Sequence, residues 1–251
     1  MSPIAVGALV TVIVLAGAAF GAWARTRLPA HHLDEDTRDM VKVGVGFLST
    51  LAALVLGLIV ASAKTAFDAR ADEVHAAAAK IALAGEELRS LGPEGDSLRA
   101  RLRQAVADRA DALWGPGGPR ASTPGQWEVS VARIRVGLHA IVPADDAQRE
   151  AKVKALQAFD ELERLRSVAV VSEGSSVTMP LLVLLVAWMV VIAAAINVFA
   201  PRHGTVAAFN VLCALSSASA IVMVLEMDQP FGGFIRVSDA PIRAAVAALM
   251  P

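Results

Sequence analysis

The sequence predicts an all-α, polytopic membrane protein with four transmembrane helices and a helical extramembrane domain between helices 2 and 3. Three observations carry this. Hydrophobic residues make up 55% of the 251 and charged ones only 19%, which is too apolar for an ordinary soluble chain of this length. The apolar residues gather in four uninterrupted blocks instead of spreading over one-sided faces. The charges gather in the interval between the second block and the third: residues 64–176 hold 16 of the 23 basic and 17 of the 24 acidic side chains, so that interval belongs in water.

Each block is long enough to cross the roughly 30 Å hydrocarbon core, which takes about 20 helical residues. The first, Ile4 to Trp23, has no basic segment before it and is longer than the apolar core of a secretory signal; Arg25 and Arg27 follow it. It reads as a retained membrane helix. The second, Val43 to Ala63, is bracketed by Lys42 and Lys64. The third spans about Met179 to Phe199 inside the uncharged stretch between Glu173 and Arg202, with Pro180 suited to a first turn and Pro201 to an exit. The fourth covers Val206 to Leu225 and stops at Glu226. Within lipid the backbone amides must be satisfied inside the segment, so helices are the expected form. The chain then divides into a first hairpin (1–63), the helical domain (64–176), a second hairpin (177–225) and a C-terminal segment (226–251).

Small residues stripe these helices: Gly17 and Gly21 on the first, Ser49, Ala53, Gly57 and Ala61 on the second, Ala214, Ser217 and Ala218 on the fourth. Such stripes let backbones approach closely where no hydrophobic drive exists. Packing within one bundle and packing of the second helix against copies of itself are both open.

In the helical domain, Phe67, Val74, Ile81 and Leu88 fall seven apart, with Ala71, Ala78 and Gly85 four residues after the first three. This heptad-like seam continues the second membrane helix into water and ends at Gly92 and Pro93. A further helix is expected over Asp96 to Leu113. Gly115 to Gly125, with its prolines and glycines, reads as a loop. Trp127 to Ile141 and a segment following Pro143 read as two more amphipathic helices, the latter begun by Ala144, Asp145 and Asp146.

Several classes of chemistry find no support. A net charge of −1 gives no basic face for nucleic acid. The sequence has no Walker lysine loop, no HExxH and no GxSxG elbow, so neither an enzyme nor a cofactor is expected. Cys213 is the single cysteine; with no base nearby in sequence it reads as a buried structural thiol. His31 and His32 stand near Asp34, Glu35, Asp36 and Asp39, but adjacent loop acids are usually solvated and no metal site is assigned. Asn197 and Asn210 lie at membrane depth, where an unpartnered amide is costly; they either bond between helices or line a wet path. Glu226 and Asp228, just beyond the fourth helix, are candidates to contact a cation or an arginine. Ile235, Val237, Ile242 and Val246, interleaved with Arg236 and Arg243, resemble an interfacial amphipathic segment.

Four spans place both termini and the helical domain on one side. Arg25, Arg27, Arg38, Lys42 and Arg202 outnumber Arg236 and Arg243, but counting Lys64, Arg70, Arg164 and Arg166 reverses the balance, so charge does not assign the sides.

Two stretches resemble the bestrophin-like membrane proteins of bacteria, which are distantly similar to the bestrophin anion channels. Ser62-Ala63-Lys64-Thr65-Ala66-Phe67-Asp68-Ala69-Arg70 is similar to the run that carries the bestrophin pore helix out of the membrane. Leu225-Glu226-Met227-Asp228-Gln229-Pro230-Phe231-Gly232 is similar to the Pro-Phe-Gly turn after the fourth bestrophin helix. The resemblance implies a homo-oligomer in the cell (inner) membrane, a pentamer, with second helices around an axial pore for small anions and the helical domain in the cytoplasm. Counting back from Arg70, Leu54, Leu58 and Ser62 share one helix face and are the pore-lining candidates, where a leucine ring gates by dewetting. The acidic run that binds calcium in animal bestrophins is reduced to Glu226 and Asp228, and the bulky aromatic neck is missing, so calcium gating is not carried over. The alternative function is a non-conducting scaffold that binds itself or another protein through the helical domain.

Overall fold

The computed structural model describes residues 2–29, 32–115, 126–171 and 179–250, with backbone alone for 166–171. Among them are eight α-helices and no strand: α1 (Pro3–Ala24), α2 (Glu35–Arg89), α3 (Pro93–Trp114), α4 (Gln126–Ala140), α5 (Asp146–Val171), α6 (Met179–Phe199), α7 (Gly204–Met227) and α8 (Ala240–Ala248). The four long apolar helices α1, α2, α6 and α7 are each able to cross a membrane. The chain is therefore a multi-pass membrane protein. His31, the greater part of the 115–125 loop and the 172–176 end of the helical domain lie outside the described residues.

The chain forms two compact units, one of Met1–Ala66 with Ser175–Asp228, the other of Phe67–Gly174 with Gln229–Pro251. In the first, α1 packs against α6 and α7. Its glycines explain how closely. A Cβ on Gly17 would stand 2.9 Å from Val190 Cγ1 and 3.0 Å from the Val190 carbonyl oxygen, and one on Gly21 would overlap the Ala194 carbonyl. Gly7 meets Val222 on α7 in the same way. The small-residue stripe of α1 is thus consumed inside the chain, backbone against backbone. At one end of this bundle two arginines exchange roles: Arg25 donates to the Ala200 carbonyl beyond α6, and Arg202 donates to the Ala22 carbonyl near the end of α1 at 2.9 Å. Each satisfies a carbonyl that its own helix leaves without an amide partner.

Helix α2 starts eight residues before its apolar block because Asp34 caps it. The Asp34 carboxylate accepts from the Thr37 amide at 2.9 Å, and Glu35 and Asp36 occupy the first turn, where the helix dipole favours negative charge. The helix then runs 55 residues without interruption, about 80 Å at 1.5 Å per residue.

The second unit has its core where the heptad seam pointed. Val74, Ala78, Ile81 and Leu88 of α2 are buried with Leu98, Leu102 and Val106 of α3, Ile134 and Leu138 of α4, and Phe159 and Leu162 of α5. Gly92, with φ of 74°, makes the turn into α3, and Pro93 supplies the fixed first helical φ; α3 consequently begins earlier than the 96–113 reading. Asp145 and Gln148 form a reciprocal cap on α5: the Gln148 amide donates to Asp145 Oδ1 at 2.7 Å, and the Ala144 amide donates to Gln148 Oε1 at 2.9 Å. Lys152 reaches back from α5 to the His139 and Ile141 carbonyls at 2.8 and 2.7 Å.

The C-terminal segment packs its apolar residues into the helical unit: Val237, Ile242, Ala245 and Leu249 are buried in the core of the second unit. Arg99 on α3, only 7% exposed, donates from Nη2 to the Ala248 and Met250 carbonyls at 2.8 and 2.7 Å. Trp114 Nε1 donates to the Val237 carbonyl at 2.8 Å. Gly85 leaves the space into which Leu249 packs. An amphipathic nine-residue helix looks the same whether its apolar stripe meets lipid or protein, so the pattern alone could not choose between them.

Candidate functional site: the exposed face of α2

Two adjoining stripes of α2 lie on its exposed side. One is the predicted pore-lining set: Leu54 is 66% exposed, Leu58 64%, and Ser62 is exposed as well. The other is the small-residue set Ser49, Ala53, Gly57 and Ala61, all exposed. The opposite side carries Ala52, Ile59 and Ala63, which are buried. Upstream of Leu54, Met40, Val43 and Phe47 extend the bulky line along the same face. A Cβ built on Gly57 would have no described atom within 4 Å. The contrast with α1 is direct. Its glycines are filled by α6 and α7, whereas Gly57 of the α2 stripe faces out of the chain.

The polar residues at membrane depth occupy a separate place. Asn197, 5% exposed on α6, and Asn210 on α7 bond each other twice: Asn197 Nδ2 to Asn210 Oδ1 at 3.1 Å, and Asn210 Nδ2 to Asn197 Oδ1 at 2.8 Å. Asn197 Nδ2 also donates to the Ala193 carbonyl at 2.8 Å. The two side chains form a closed amide pair that ties one helix to the other.

Glu226 is 5% exposed in the last turn of α7, and Asp228 is half-buried just beyond it. Among the described residues no group of three or more His, Cys, Asp or Glu converges as a metal cluster would. The acids of the first loop serve the start of α2 instead. Asp34 caps it, and Asp39 pairs with Lys42 at 2.7 Å. The Thr37 hydroxyl and amide hold the Asp34 carboxyl below the usual carboxylate range, and Lys42 does the same for Asp39. Cys213 departs from expectation: it lies on the exposed side of α7 and is not buried. Its neighbours in the stripe divide, with Ala214 and Ala218 buried and Ser217 half-buried.

Two features of the helical unit escaped the sequence reading. Arg99 sits at helical spacing with Leu102 and Val106 on the apolar side of α3, and a charge there was the available signal. The second is a cavity of about 190 Å³ walled by α2, α3, α4, α5 and the C-terminal segment. Trp114 and Phe231 meet edge to face inside it, ring centroids 5.2 Å apart. Arg70, Glu73 and Arg109 are its charged lining, and Arg70 pairs with Glu73 at 3.0 Å.

A family model described as a bestrophin-like domain matches residues 12–242. The match takes in both stretches that carried the resemblance, and with them α2 and the Pro230-Phe231 turn. No curated protein and no solved structure matches the chain.

Proposed function

The chain belongs to the bestrophin-like family, and on that premise we propose that it assembles into a homo-oligomeric pore for small anions, with α2 lining the axis. The observation that carries this reading is the outward-facing small-residue stripe of α2 beside the line of Leu54, Leu58 and Ser62. A helix that only faces lipid has no use for a stripe that permits close backbone approach. A helix that packs against its own copies needs the stripe for contact and leaves the adjoining line for the lumen. Two leucines in each of several copies would then make an apolar constriction that water leaves readily. The family's pentamer is the expected assembly, and no step of the activity is enzymatic.

The test is the native mass of the full-length protein in mild detergent, followed by anion flux in liposomes. A pentamer whose flux rises on Leu58→Ser supports the pore. A monomer, or an oligomer silent in both forms, overturns it. The second reading, a non-conducting scaffold, draws on exposed apolar residues of the helical unit: Val129 and Val136 lie seven apart on α4, with Val142 beyond it. A silent oligomer that loses a partner on Val136→Glu would favour that reading.

A further inference from the structure

We infer that the end of the α1, α6 and α7 bundle that carries Arg25, Arg27 and Arg202 is a binding site for the phosphate head of an anionic phospholipid, a use the pore does not require. Charge singles out this end. Residues 1–33 and 174–225 contain these three arginines and no acid, and at the opposite end of the bundle α7 closes on Glu226 and Asp228 instead. The three guanidiniums are held by neutral partners. Arg25 donates to the Ala200 carbonyl, Arg202 donates to the Ala22 carbonyl at 2.9 Å, and Arg27 lies over the Trp23 ring, 5.5 Å from its centroid. Among the described residues no carboxylate pairs with any of the three. The acids next along the chain serve α2, Asp34 as its cap and Asp39 as the partner of Lys42.

The reciprocal bonds of Arg25 and Arg202 hold both side chains across the same helix ends, so like charges are fixed near one another before any ligand arrives. An anion between them removes that repulsion without a new cost in side-chain order. Each guanidinium has five N–H donors and spends one on a carbonyl, leaving the planar fork that matches the oxygens of a phosphate. The position selects a lipid over a soluble anion. The three arginines stand just beyond the ends of helices able to cross a membrane, at the level of headgroups. Trp23 and Phe20, with ring centroids 5.7 Å apart, remain exposed immediately inside them, where an indole suits the interface and the deeper ring meets acyl chain. A free phosphate would leave those rings uncovered. A zwitterionic head would bring an ammonium that three guanidiniums repel.

The experiment titrates the full-length protein in a non-ionic detergent with dioleoyl phosphatidylglycerol and, separately, with dioleoyl phosphatidylcholine, counting bound lipid by native mass spectrometry. Phosphatidylglycerol should bind the more tightly, and Arg27→Gln, whose side chain touches only Trp23, should cut that preference about fivefold. Adding Arg202→Gln should cut it about fivefold again while phosphatidylcholine binding stays unchanged, a pattern misfolding does not produce. Arg101→Gln, the same charge change at an exposed position of α3, should leave the preference intact. Equal affinity for the two lipids, a preference that survives Arg27→Gln, or an equal loss in Arg101→Gln would overturn the site. Release of bound phosphatidylglycerol by inorganic phosphate would overturn the lipid assignment and make the arginines a site for a soluble anion. Because the readout is lipid binding, which needs neither an oligomer nor flux, its failure is separate from any failure of the pore reading.

Discussion

Removing the guanidinium of Arg99 should release the C-terminal helix from the helical unit. In the folded chain Nη2 makes two charge-assisted bonds, to Ala248 and Met250, each worth about 1.5–3 kcal/mol. Against this stands the buried Nε, which has no partner among the described atoms; such a group costs about 1–3 kcal/mol. The net loss on Arg99→Met, which keeps length and apolar volume, is therefore about 2–3 kcal/mol. At 1.4 kcal/mol per tenfold, that becomes a roughly 30- to 150-fold faster opening of residues 240–250. Hydrogen exchange with mass spectrometry on the full-length protein reads this directly, with α1 and α7 peptides as internal controls. Arg99→Lys should fall between, since a single ammonium cannot reproduce the planar fork. Unchanged exchange in 240–250 for Arg99→Met would mean that Val237, Ile242 and Leu249 hold the segment without the arginine, and the argument from its two bonds would be wrong.

Three further outcomes are expected. Gly21→Val should drive α1 from α6 and destabilise the membrane unit by about 1–3 kcal/mol or more in thermal unfolding, whereas Gly57→Val, with open space around its Cβ, should leave the chain's own stability within about 0.5 kcal/mol yet break the oligomer; an intact oligomer would make that face lipid-facing. A double-mutant cycle of Asn197→Ala and Asn210→Ala should give a coupling of about 0.6–1.7 kcal/mol in denaturant unfolding, and zero coupling would deny the reciprocal pair. The Asp34 cap should be fully present above the ordinary carboxylate pKa and lost as pH falls through its lowered folded value; Asp34→Ala should remove the acid-dependent rise in exchange at the Thr37 amide, and persistence of that rise would assign it to another group.

The architecture was legible because lipid admits few solutions. An uncharged run of 20 residues at 4–23 or 179–199 has one stable form, and the bounds fall within a few residues of those read from composition. The heptad at Phe67, Val74, Ile81 and Leu88 was legible for a similar reason: a periodic seam must meet a partner, and it meets α3, α4 and α5. What stayed hidden was which partner each face would take. Gly17-x-x-x-Gly21 and Ser49-to-Ala61 are the same kind of signal, yet one is closed inside the chain and the other is open. The stripe at Val237, Ile242 and Val246 spelled amphipathicity without naming protein or lipid. The missing information was a tertiary complement, a buried Arg99 and the gap over Gly85, lying some 150 residues away along the chain. For the site, the common face of Leu54, Leu58 and Ser62 followed from spacing, while the aromatic cavity, assembled from five separate stretches, had no local signature.

The assignment of residues 229–251 to the same unit as residues 67–174 has a temporal consequence. On the ribosome, α2 to α5 emerge first and cannot complete their core, because Val237, Ile242 and Leu249 do not yet exist. At about 5–20 residues per second, the roughly 80 residues from the end of α5 to Leu249 take on the order of 4–16 s to synthesise. Two membrane helices must be inserted in that interval. The helical unit therefore waits with an unfilled apolar groove and an uncovered Arg99, and its completion reports that the second hairpin has been made. A chain interrupted between α5 and Val237 would lack every C-terminal side chain that fills that groove.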